Sequence, residues 1–352
     1  MKAPEGKESD ADRGRIRELE QQIQDLTMQR EERLDEVKGI AADLEDRAPT
    51  LKVRRTLTGH FGKVYALHWA GPDRMGTMLS ASQDGKLIMW DTLSQNKLKA
   101  VALRSSWVMT CAFEQQSNNL LASGGLDNLC SIFKVDGEGS RADVELSDHD
   151  GYLSCARFIS PEKILTSSGD STIRLWDLTR KSCESIYEKH TGDVMSISLS
   201  PMNSASVFVS GSCDATVRVW DTRLKDMWCG SAGNFVAHES DVNSVEFLAN
   251  GNSVISGSDD SACMLHDLRS QCTIATYASE STLAGVTSVA ASKAGRIIFA
   301  GYDDNCLSAW NVGNSESRLN FMHPNRVSSL GVNTSGEALA TGCWDSLLRV
   351  FA

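Results

Sequence analysis

Three features are scarce or missing in this 352-residue sequence: long apolar runs, paired cysteines and basic side chains. No run approaches the roughly 18 uncharged apolar residues of a membrane-spanning helix. The opening residues, MKAPEGKE, lack the apolar segment of a signal peptide. Asp and Glu number 46 against 35 Lys and Arg, and the net charge of −11 disfavours a nucleic-acid backbone as a partner. We therefore expect no membrane span and no nucleic-acid binding.

The ten cysteines form no C-x-x-C pair, and most of them lie inside apolar runs, as Cys111, Cys130, Cys155 and Cys306 do. Single buried cysteines behave as small apolar side chains, and disulfides are rare in the reducing cytosol. We expect reduced core cysteines in a cytosolic protein, with no metal site and no cofactor.

Residues 10–47 are set apart by their charge and by apolar residues spaced three and four apart. The apolar positions are Ile16, Leu19, Ile23, Leu26, Leu34, Val37, Ile40 and Leu44. This spacing is typical of a coiled-coil seam. It predicts a helix over 10–47, preceded by a disordered segment, 1–9, and stopped by Pro49. The helix could instead pack on its own domain, but the narrow stripe and charged flanks favour a partner helix.

The rest of the chain is periodic. Seven segments, such as "SASQDGKLIMWD" and "SGSCDATVRVWD", place an Asp six residues before an aromatic residue or His that ends a strand. These aspartates recur every 41 to 46 residues: Asp84, Asp127, Asp170, Asp214, Asp260, Asp304 and Asp345. A repeat of this length with short alternating strands predicts a four-stranded propeller blade. We expect an all-β, seven-bladed β-propeller over 51–352.

The two ends of the periodic region predict how the ring closes. The last blade reaches Ala352 one strand short of four, and the strand expected at 53–57 has no blade of its own. Pairing them would remove an open sheet edge.

Each blade also repeats a polar set. In the first blade the set is His60, Ser80, Asp84 and Trp90; in the fourth blade it is His190, Ser210, Asp214 and Trp220. Ser, His and Asp together are the parts of a nucleophilic triad. Repetition through one domain favours a structural network instead, in which Asp accepts from His, His meets Ser, and Ser meets the Trp indole. We expect no catalytic residue, and a propeller hydrolase would need a unique polar cluster that the sequence does not contain.

Positions three and five residues after each His begin the innermost strands on one face of the ring. In the second blade, which lacks the His, Trp107 and Met109 hold these positions. Aromatic residues surrounded by charges of both signs are typical of a protein-binding hot spot. The alternative is that some of these side chains plug the narrow end of the central channel.

Several segments resemble the beta subunits of heterotrimeric G proteins, a group within the WD-repeat family: "RRTLTGH", "LRSSWVMTCAF", "GGLDNLCSI" and "TGCWDSLLRV" among them. The likeness runs from the helix to the C-terminus. It implies an obligate gamma subunit paired with 10–47, and a GDP-bound alpha subunit and effectors that compete for one face. It also implies transduction of receptor signals at the inner face of the plasma membrane, with attachment through lipidated partners because "RVFA" is no lipidation motif.

The contact residues that this resemblance implies are called the rim set below. They are Lys63, Tyr65, Lys86, Lys97, Trp107, Met109, Leu126, Asn128, Tyr152, Asp193, Met195, Cys213, Asp241, Asp259 and Trp344. A WD-repeat scaffold or substrate adaptor of another complex is the alternative function. The heptad helix joined directly to the first blade argues against it.

Overall fold

A computed structural model describes residues 51–137, 140–204, 206–223, 234–279, 283–313 and 317–352, together with Gln21. The helix expected over 10–47, with its eight apolar seam positions, and the segment 1–9 lie outside these residues except for Gln21. The helix therefore stays a prediction.

The described residues form 28 strands and one 3₁₀ turn, Pro72–Arg74. The strands are β1 (Val53–Thr58), β2 (Val64–Trp69), β3 (Thr77–Ser82), β4 (Lys86–Asp91), β5 (Asn96–Ala102), β6 (Val108–Phe113), β7 (Leu120–Gly125), β8 (Cys130–Lys134), β9 (Val144–Leu146), β10 (Leu153–Ser160), β11 (Lys163–Ser168), β12 (Ile173–Asp177), β13 (Ser182–Tyr187), β14 (Val194–Leu199), β15 (Val207–Ser212), β16 (Thr216–Asp221), β17 (Asn234–Val236), β18 (Val242–Phe247), β19 (Ser253–Ser258), β20 (Cys263–Asp267), β21 (Cys272–Tyr277), β22 (Val286–Ala291), β23 (Ile297–Tyr302), β24 (Cys306–Asn311), β25 (Ser317–Met322), β26 (Val327–Val332), β27 (Leu339–Cys343) and β28 (Leu347–Phe351).

These strands form seven antiparallel sheets of four strands each, which confirms the seven-bladed propeller. The first six blades use four consecutive strands, beginning with β2 to β5. The first strand of each blade packs against the first strands of its two neighbours, so that β2, β6, β10, β14, β18, β22 and β26 surround the axis.

The seventh blade contains strands from both ends of the periodic region. Its order is β1-β28-β27-β26, and β1 pairs with β28 from Val53 opposite Phe351 to Thr58 opposite Leu347. Because the outermost strand comes from the start of the region and the other three come from its end, the ring is closed by backbone hydrogen bonds.

The repeated Asp forms the turn between the second and third strands of every blade. Its Oδ1 accepts a hydrogen bond from the N–H two residues later, as Asp84 does from Lys86 at 3.1 Å and Asp127 from Leu129 at 3.3 Å. The residue in between has a left-handed φ of 60° to 74° in all seven turns. Asp favours such turns because its side chain imitates a backbone carbonyl. The Asp therefore recurs even in blades without the His.

A β-bulge occurs at the start of the inner strand in every blade. The pairing register skips one residue there: Tyr65, Met109, Ser154, Met195, Asn243, Thr287 and Ser328. Bulges re-aim side chains and increase the local twist. The skipped residues are the positions five residues after each His, or their equivalents in the blades without one.

Neighbouring blades are joined by apolar packing and by polar side chains near the axis. Leu79 of the first blade packs with Phe113 and Leu121 of the second. Ser196 Oγ accepts from the Val245 N–H of the next blade at 3.3 Å, and Ser329 Oγ accepts from Leu67 N–H at 3.1 Å across the closure. Each of the nine cysteines that the structure describes is unpaired.

Candidate protein-binding face

The repeated polar residues form hydrogen-bonded networks inside the blades. In the first blade His60 Nδ1 lies 3.1 Å from Asp84 Oδ2, and His60 Nε2 lies 2.7 Å from Ser80 Oγ. Trp90 Nε1 donates to the same hydroxyl at 2.8 Å. In the fourth blade His190, Asp214, Ser210 and Trp220 make the same contacts at 2.7 to 2.8 Å.

The pKa shifts of His60 and Asp84 indicate which of the two groups is charged. Burial lowers the pKa of His60 despite the nearby Asp84 carboxylate. Burial opposes ionisation of Asp84, but hydrogen bonds from Phe61 N–H and the contact with His60 outweigh it, so the pKa of Asp84 is lowered. A neutral His60 therefore donates from Nδ1 to an ionised Asp84 and accepts from Ser80 at Nε2.

This arrangement has the connectivity of a nucleophilic triad without access to a substrate. The Ser80 and Ser210 hydroxyls lie on fully buried residues, and each already accepts an indole N–H. A nucleophile must reach the reacting atom of its substrate. The networks therefore satisfy buried polar groups.

Besides the second blade, which lacks the His, three blades replace parts of the network. In the fifth blade His266 occupies the Trp position and lies 2.7 Å from Ser256 Oγ. In the sixth blade Trp310 Nε1 donates to Tyr302 Oη at 3.2 Å, since the Ser position is alanine. In the seventh blade Asp345 pairs with Arg349 at 2.6 Å.

Three aromatic members of the rim set, from three different blades, pack together on one face. Tyr65 stacks on Trp107 with ring centroids 6.0 Å apart and planes inclined by 27°. Tyr65 also meets the edge of Trp344 at 6.1 Å. Lys63 Nζ lies 3.8 Å from the centre of the Trp344 ring and Arg326 Cζ lies 4.9 Å from it. We call these five residues the aromatic cluster.

Trp107 is the most exposed tryptophan of this cluster, at 40%. Its φ of 69° is left-handed, which is rare for a bulky side chain and costs free energy. The equivalent residues Lys63 and Tyr152 do not share it. The backbone of the second blade thus departs from the repeat at this residue.

Acidic members of the rim set lie on the fourth and fifth blades. Tyr152 Oη donates to Asp193 Oδ2 at 2.9 Å and lies 3.5 Å from Met195 Sδ. Burial, followed by a hydrogen bond to Asp241, raises the pKa of the Cys213 thiol to about 12. The thiol is therefore protonated at neutral pH.

A further acidic residue, Asp259, accepts from Asn243 Nδ2 at 2.6 Å. Asp303, outside the rim set, pairs with Arg326 of the aromatic cluster at 3.0 Å. Carboxylates thus continue around the face until they meet the cluster.

The remaining members of the rim set stand apart from the aromatic cluster. Lys86 Nζ lies 5.2 Å from the centre of the Phe61 ring. Lys97, on the outermost strand of the first blade, donates to Gly59 O at 3.2 Å. Leu126 is exposed, and Asn128 Nδ2 donates to Asp150 O at 3.2 Å.

The bulge residues line one central cavity of about 440 Å³. Tyr65, Met109 and Met195 are therefore at the channel as well as in the rim set, whereas Trp107 does not line it. Two charged residues, Arg157 and Glu246, also line the cavity. Burial raises the pKa of Glu246 to about 7. The alternative that these side chains plug the central channel therefore fits the bulge residues better than it fits Trp107.

Sequence reasoning missed one neighbour of the rim set, Phe61, and placed another, Arg326, on the same face without counting it as a contact residue. Phe61 is largely exposed and lies under Lys86. Arg326 bridges Trp344 and Asp303. Comparing the residues that directly follow each His would have singled out Phe61, because Asp150, Thr191 and Glu239 stand there in other blades.

Neither a metal-binding cluster nor a membrane-spanning helix is found among the described residues. The described part of the chain holds no group of three or more His, Cys, Asp or Glu side chains placed to bind a metal ion. No helix within those same residues is long and apolar enough to cross a membrane.

Comparison with known proteins agrees with the motifs. A family model described as "G protein beta WD-40 repeat protein" matches residues 7–352. A guanine nucleotide-binding protein subunit beta of Oryza sativa subsp. japonica is 38% identical over 97% of this chain and 92% of its own length. One of Arabidopsis thaliana is 41% identical over 85% of this chain and 82% of its own. The G(I)/G(S)/G(T) subunit beta-1 of Homarus americanus is 44% identical over 86% and 87%. This chain therefore belongs to the non-catalytic family of G protein beta WD-40 repeat proteins.

Proposed function

We propose that this chain, a heterotrimeric G-protein beta subunit by homology, offers the face around the aromatic cluster as a docking surface shared by a GDP-bound alpha subunit and by effectors. The observation that carries the proposal is the packing of Tyr65 against both Trp107 and Trp344, with Lys63 and Arg326 over the Trp344 ring. Rings held in place before binding lose little conformational entropy when a partner covers them. Such anchors dominate binding free energy at protein interfaces.

The charges around the cluster support a partner of fixed orientation. Lys63 and Arg326 lie at the cluster, while Asp193, Asp241 and Asp259 lie on other blades of the same rim set. Complementary charges guide encounter and set the register of a complex more than they add affinity.

The proposed mechanism is occlusion. Two partners that both need the aromatic rings cannot bind at the same time. Nucleotide exchange in the alpha subunit would alter the segments that contact the face and release it for effectors. The beta chain would then transmit the signal by being uncovered, without any chemistry of its own.

We further propose that residues 10–47 form the helix that pairs with a gamma subunit through the predicted heptad seam. The heptad spacing and the match of the family model from residue 7 onward support this. Attachment to the inner face of the plasma membrane would come from lipid chains on the partners. Two such signals are needed for stable anchoring.

The docking proposal is tested by Trp107→Ala in the full chain purified with a gamma subunit. We expect binding of the GDP-bound alpha subunit to weaken by about 2 kcal/mol, roughly thirtyfold in the dissociation constant. The melting temperature should stay unchanged because the side chain is 40% exposed. The matched control is Ile274→Ala on the outermost strand β21, where the side chain is 56% exposed. A lower melting temperature with unchanged alpha affinity would show a structural role for Trp107 and contradict the proposal.

A further inference from the structure

A small cavity of about 50 Å³ opens beside Trp107 in the second blade. It is lined by the loop before β6, by Ser123 of β7, by the turn residue Asp127 and by Phe133 of β8. In the first blade the corresponding residues are Ser80, Asp84 and Trp90, which surround the imidazole of His60.

The backbone hydrogen bonds establish which residue stands in the histidine position. Gln83 N–H donates to Lys63 O at 2.9 Å in the first blade, and Leu126 N–H donates to Trp107 O at 3.4 Å in the second. Counting back equally from Lys63 and from Trp107 pairs His60 with Arg104.

Arg104 does not fill the cavity as His60 does. Its side chain is 82% exposed and its Nη1 lies 3.5 Å from Glu145 Oε1. In the first blade Asp84 also accepts from Phe61 N–H at 2.9 Å. Asp127 has only the Leu129 N–H at 3.3 Å as a hydrogen-bond donor among the described residues. The loop has thus moved away from the turn, which agrees with the left-handed φ of Trp107.

The cavity keeps both polar ends of an imidazole site. Ser123 is 2% exposed, and its hydroxyl has no hydrogen-bond partner in the described part of the chain. In the first blade Trp90 donates its indole N–H to Ser80. Phe133 occupies this position in the second blade and offers no donor to Ser123. Asp127, the counterpart of Asp84, also lines the cavity. A ligand that fits the cavity can form a hydrogen bond with this hydroxyl.

We propose that this cavity receives the imidazole of a histidine side chain from the polypeptide docked on the face around Trp107. The inference rests on the proposed function, because Trp107 belongs both to the aromatic cluster and to the cavity wall. The imidazole donates one N–H to Asp127 and accepts from Ser123 at its other nitrogen, as His60 does within its own blade.

The charges of the lining favour a neutral ring over a cationic side chain. Two carboxylates, Asp127 and Glu145, are balanced by two guanidinium groups, Arg104 and Arg141. A lysine or arginine entering this space would add an uncompensated charge, which is unfavourable in a partly enclosed site. An imidazole satisfies the same acceptor and donor without that cost.

A small-molecule titration tests the cavity without any protein partner. The full chain, purified with a gamma subunit, is labelled with 5-fluorotryptophan, and the Trp107 fluorine signal is assigned with Trp107→Phe. We expect 4-methylimidazole to shift that signal saturably with a dissociation constant on the order of millimolar, as for a ligand of few atoms. Methylguanidinium should not compete. Absence of a saturable shift, or equal binding of methylguanidinium, overturns the inference.

Two substitutions at one position distinguish filling the cavity from merely altering the loop. Arg104→His supplies the chain's own imidazole and should abolish the shift, whereas Arg104→Ala removes the same guanidinium, leaves the cavity open and should retain it. Asp127→Ala, at an exposed turn, should weaken 4-methylimidazole binding about tenfold by removing one charge-assisted hydrogen bond. Retention of full binding in both Arg104→His and Asp127→Ala overturns the assignment.

The docked partner is tested with the GDP-bound alpha subunit. Arg104→His should weaken its binding about tenfold while Arg104→Ala should not, since only the first occupies the imidazole site. If Trp107→Ala weakens alpha binding and Arg104→His leaves it unchanged, this inference is wrong and the proposed function stands. If Trp107→Ala leaves alpha binding unchanged, the proposed function itself is wrong.

Discussion

At the scale of single residues, the fifth blade shows how one substitution changes the chemistry of a network. His266 stands where four other blades have Trp, yet it is fully buried and still reaches Ser256 at 2.7 Å. Its other nitrogen lies 3.1 Å from Thr273 Oγ1. Burial, followed by the charge of His238, lowers the pKa of His266 to about 3. A titratable ring has thus replaced a neutral indole at the centre of the blade.

The buried His266 should make the stability of the protein depend on pH, and His266→Trp should reduce this pH dependence. Between pH 6.5 and about 3 the unfolded chain holds a proton on residue 266 that the folded chain does not. Stability is therefore lost as pH falls through this window, at about 1.4 kcal/mol per pH unit. Urea unfolding at several pH values should give a shallower slope for His266→Trp, by about one proton. His68 and His323, whose pKa values burial also lowers, contribute equally to both proteins. Identical slopes would contradict the assignment.

At the scale of the blade, the third and seventh blades have a Thr at the same position, but the two hydroxyls differ in their hydrogen bonds. Thr166 Oγ1 lies 2.8 Å from His149 Nε2 and accepts from Trp176 Nε1 at 2.8 Å. In the seventh blade Thr341 Oγ1 has no hydrogen-bond partner among the residues described, and Phe351 stands at the Trp position. The blade that closes the ring thus has an incomplete network.

The two threonines predict opposite responses to one substitution. Thr166→Val leaves an imidazole nitrogen and an indole N–H buried and unpaired, and should cost about 2 to 4 kcal/mol of unfolding free energy. Thr341→Val removes a hydroxyl that has no partner, so it should be neutral or stabilising by up to about 1 kcal/mol. Chemical denaturation of both variants measures this, each serving as the control for the other. Equal losses would show that the hydroxyl in the seventh blade does have a partner.

At the scale of the whole molecule, the ring depends on contacts between segments far apart in the chain. The β1–β28 pairing joins the beginning and end of the periodic region, and Ser329 reaches Leu67 across the same junction. Tyr65 and Trp344 come together only because of this closure. The proposed docking face is therefore a property of the closed propeller.

The proposed gamma interface makes a prediction at this scale. Ile23→Asp together with Leu26→Asp should abolish co-purification of the gamma subunit, because each buried apolar contact is worth about 1.5 to 3 kcal/mol and the charges add a desolvation cost. Gln21→Asp with Gln24→Asp adds the same charges at positions outside the seam and should leave co-purification intact. Unchanged gamma yield with the seam variant would refute the coiled-coil assignment.

Local chemistry explains how much of the fold was predictable from sequence. The turn Asp recurs because a four-residue turn needs its carboxylate, whatever the rest of the blade contains. Strand alternation and a period near 44 residues then define the number of blades. The pairs His60 with Ser80 and Ser210 with Trp220 also followed, since partners within one blade keep a constant spacing.

Contacts between blades and departures from the repeat were decided only by the tertiary structure. The stacking of Tyr65 on Trp107 joins two blades. Tyr65 is directed toward the axis by a β-bulge that residue types alone do not predict. Arg104 turned out toward Glu145, which opened a cavity, and Arg349 took the Asp345 carboxylate. The repeats themselves were determined by the sequence, because each turn and strand depends on neighbours along the chain. The proposed docking face was not, because it depends on where the closed ring places side chains that the sequence keeps far apart. The cavity was not, because it depends on the direction that the Arg104 side chain takes.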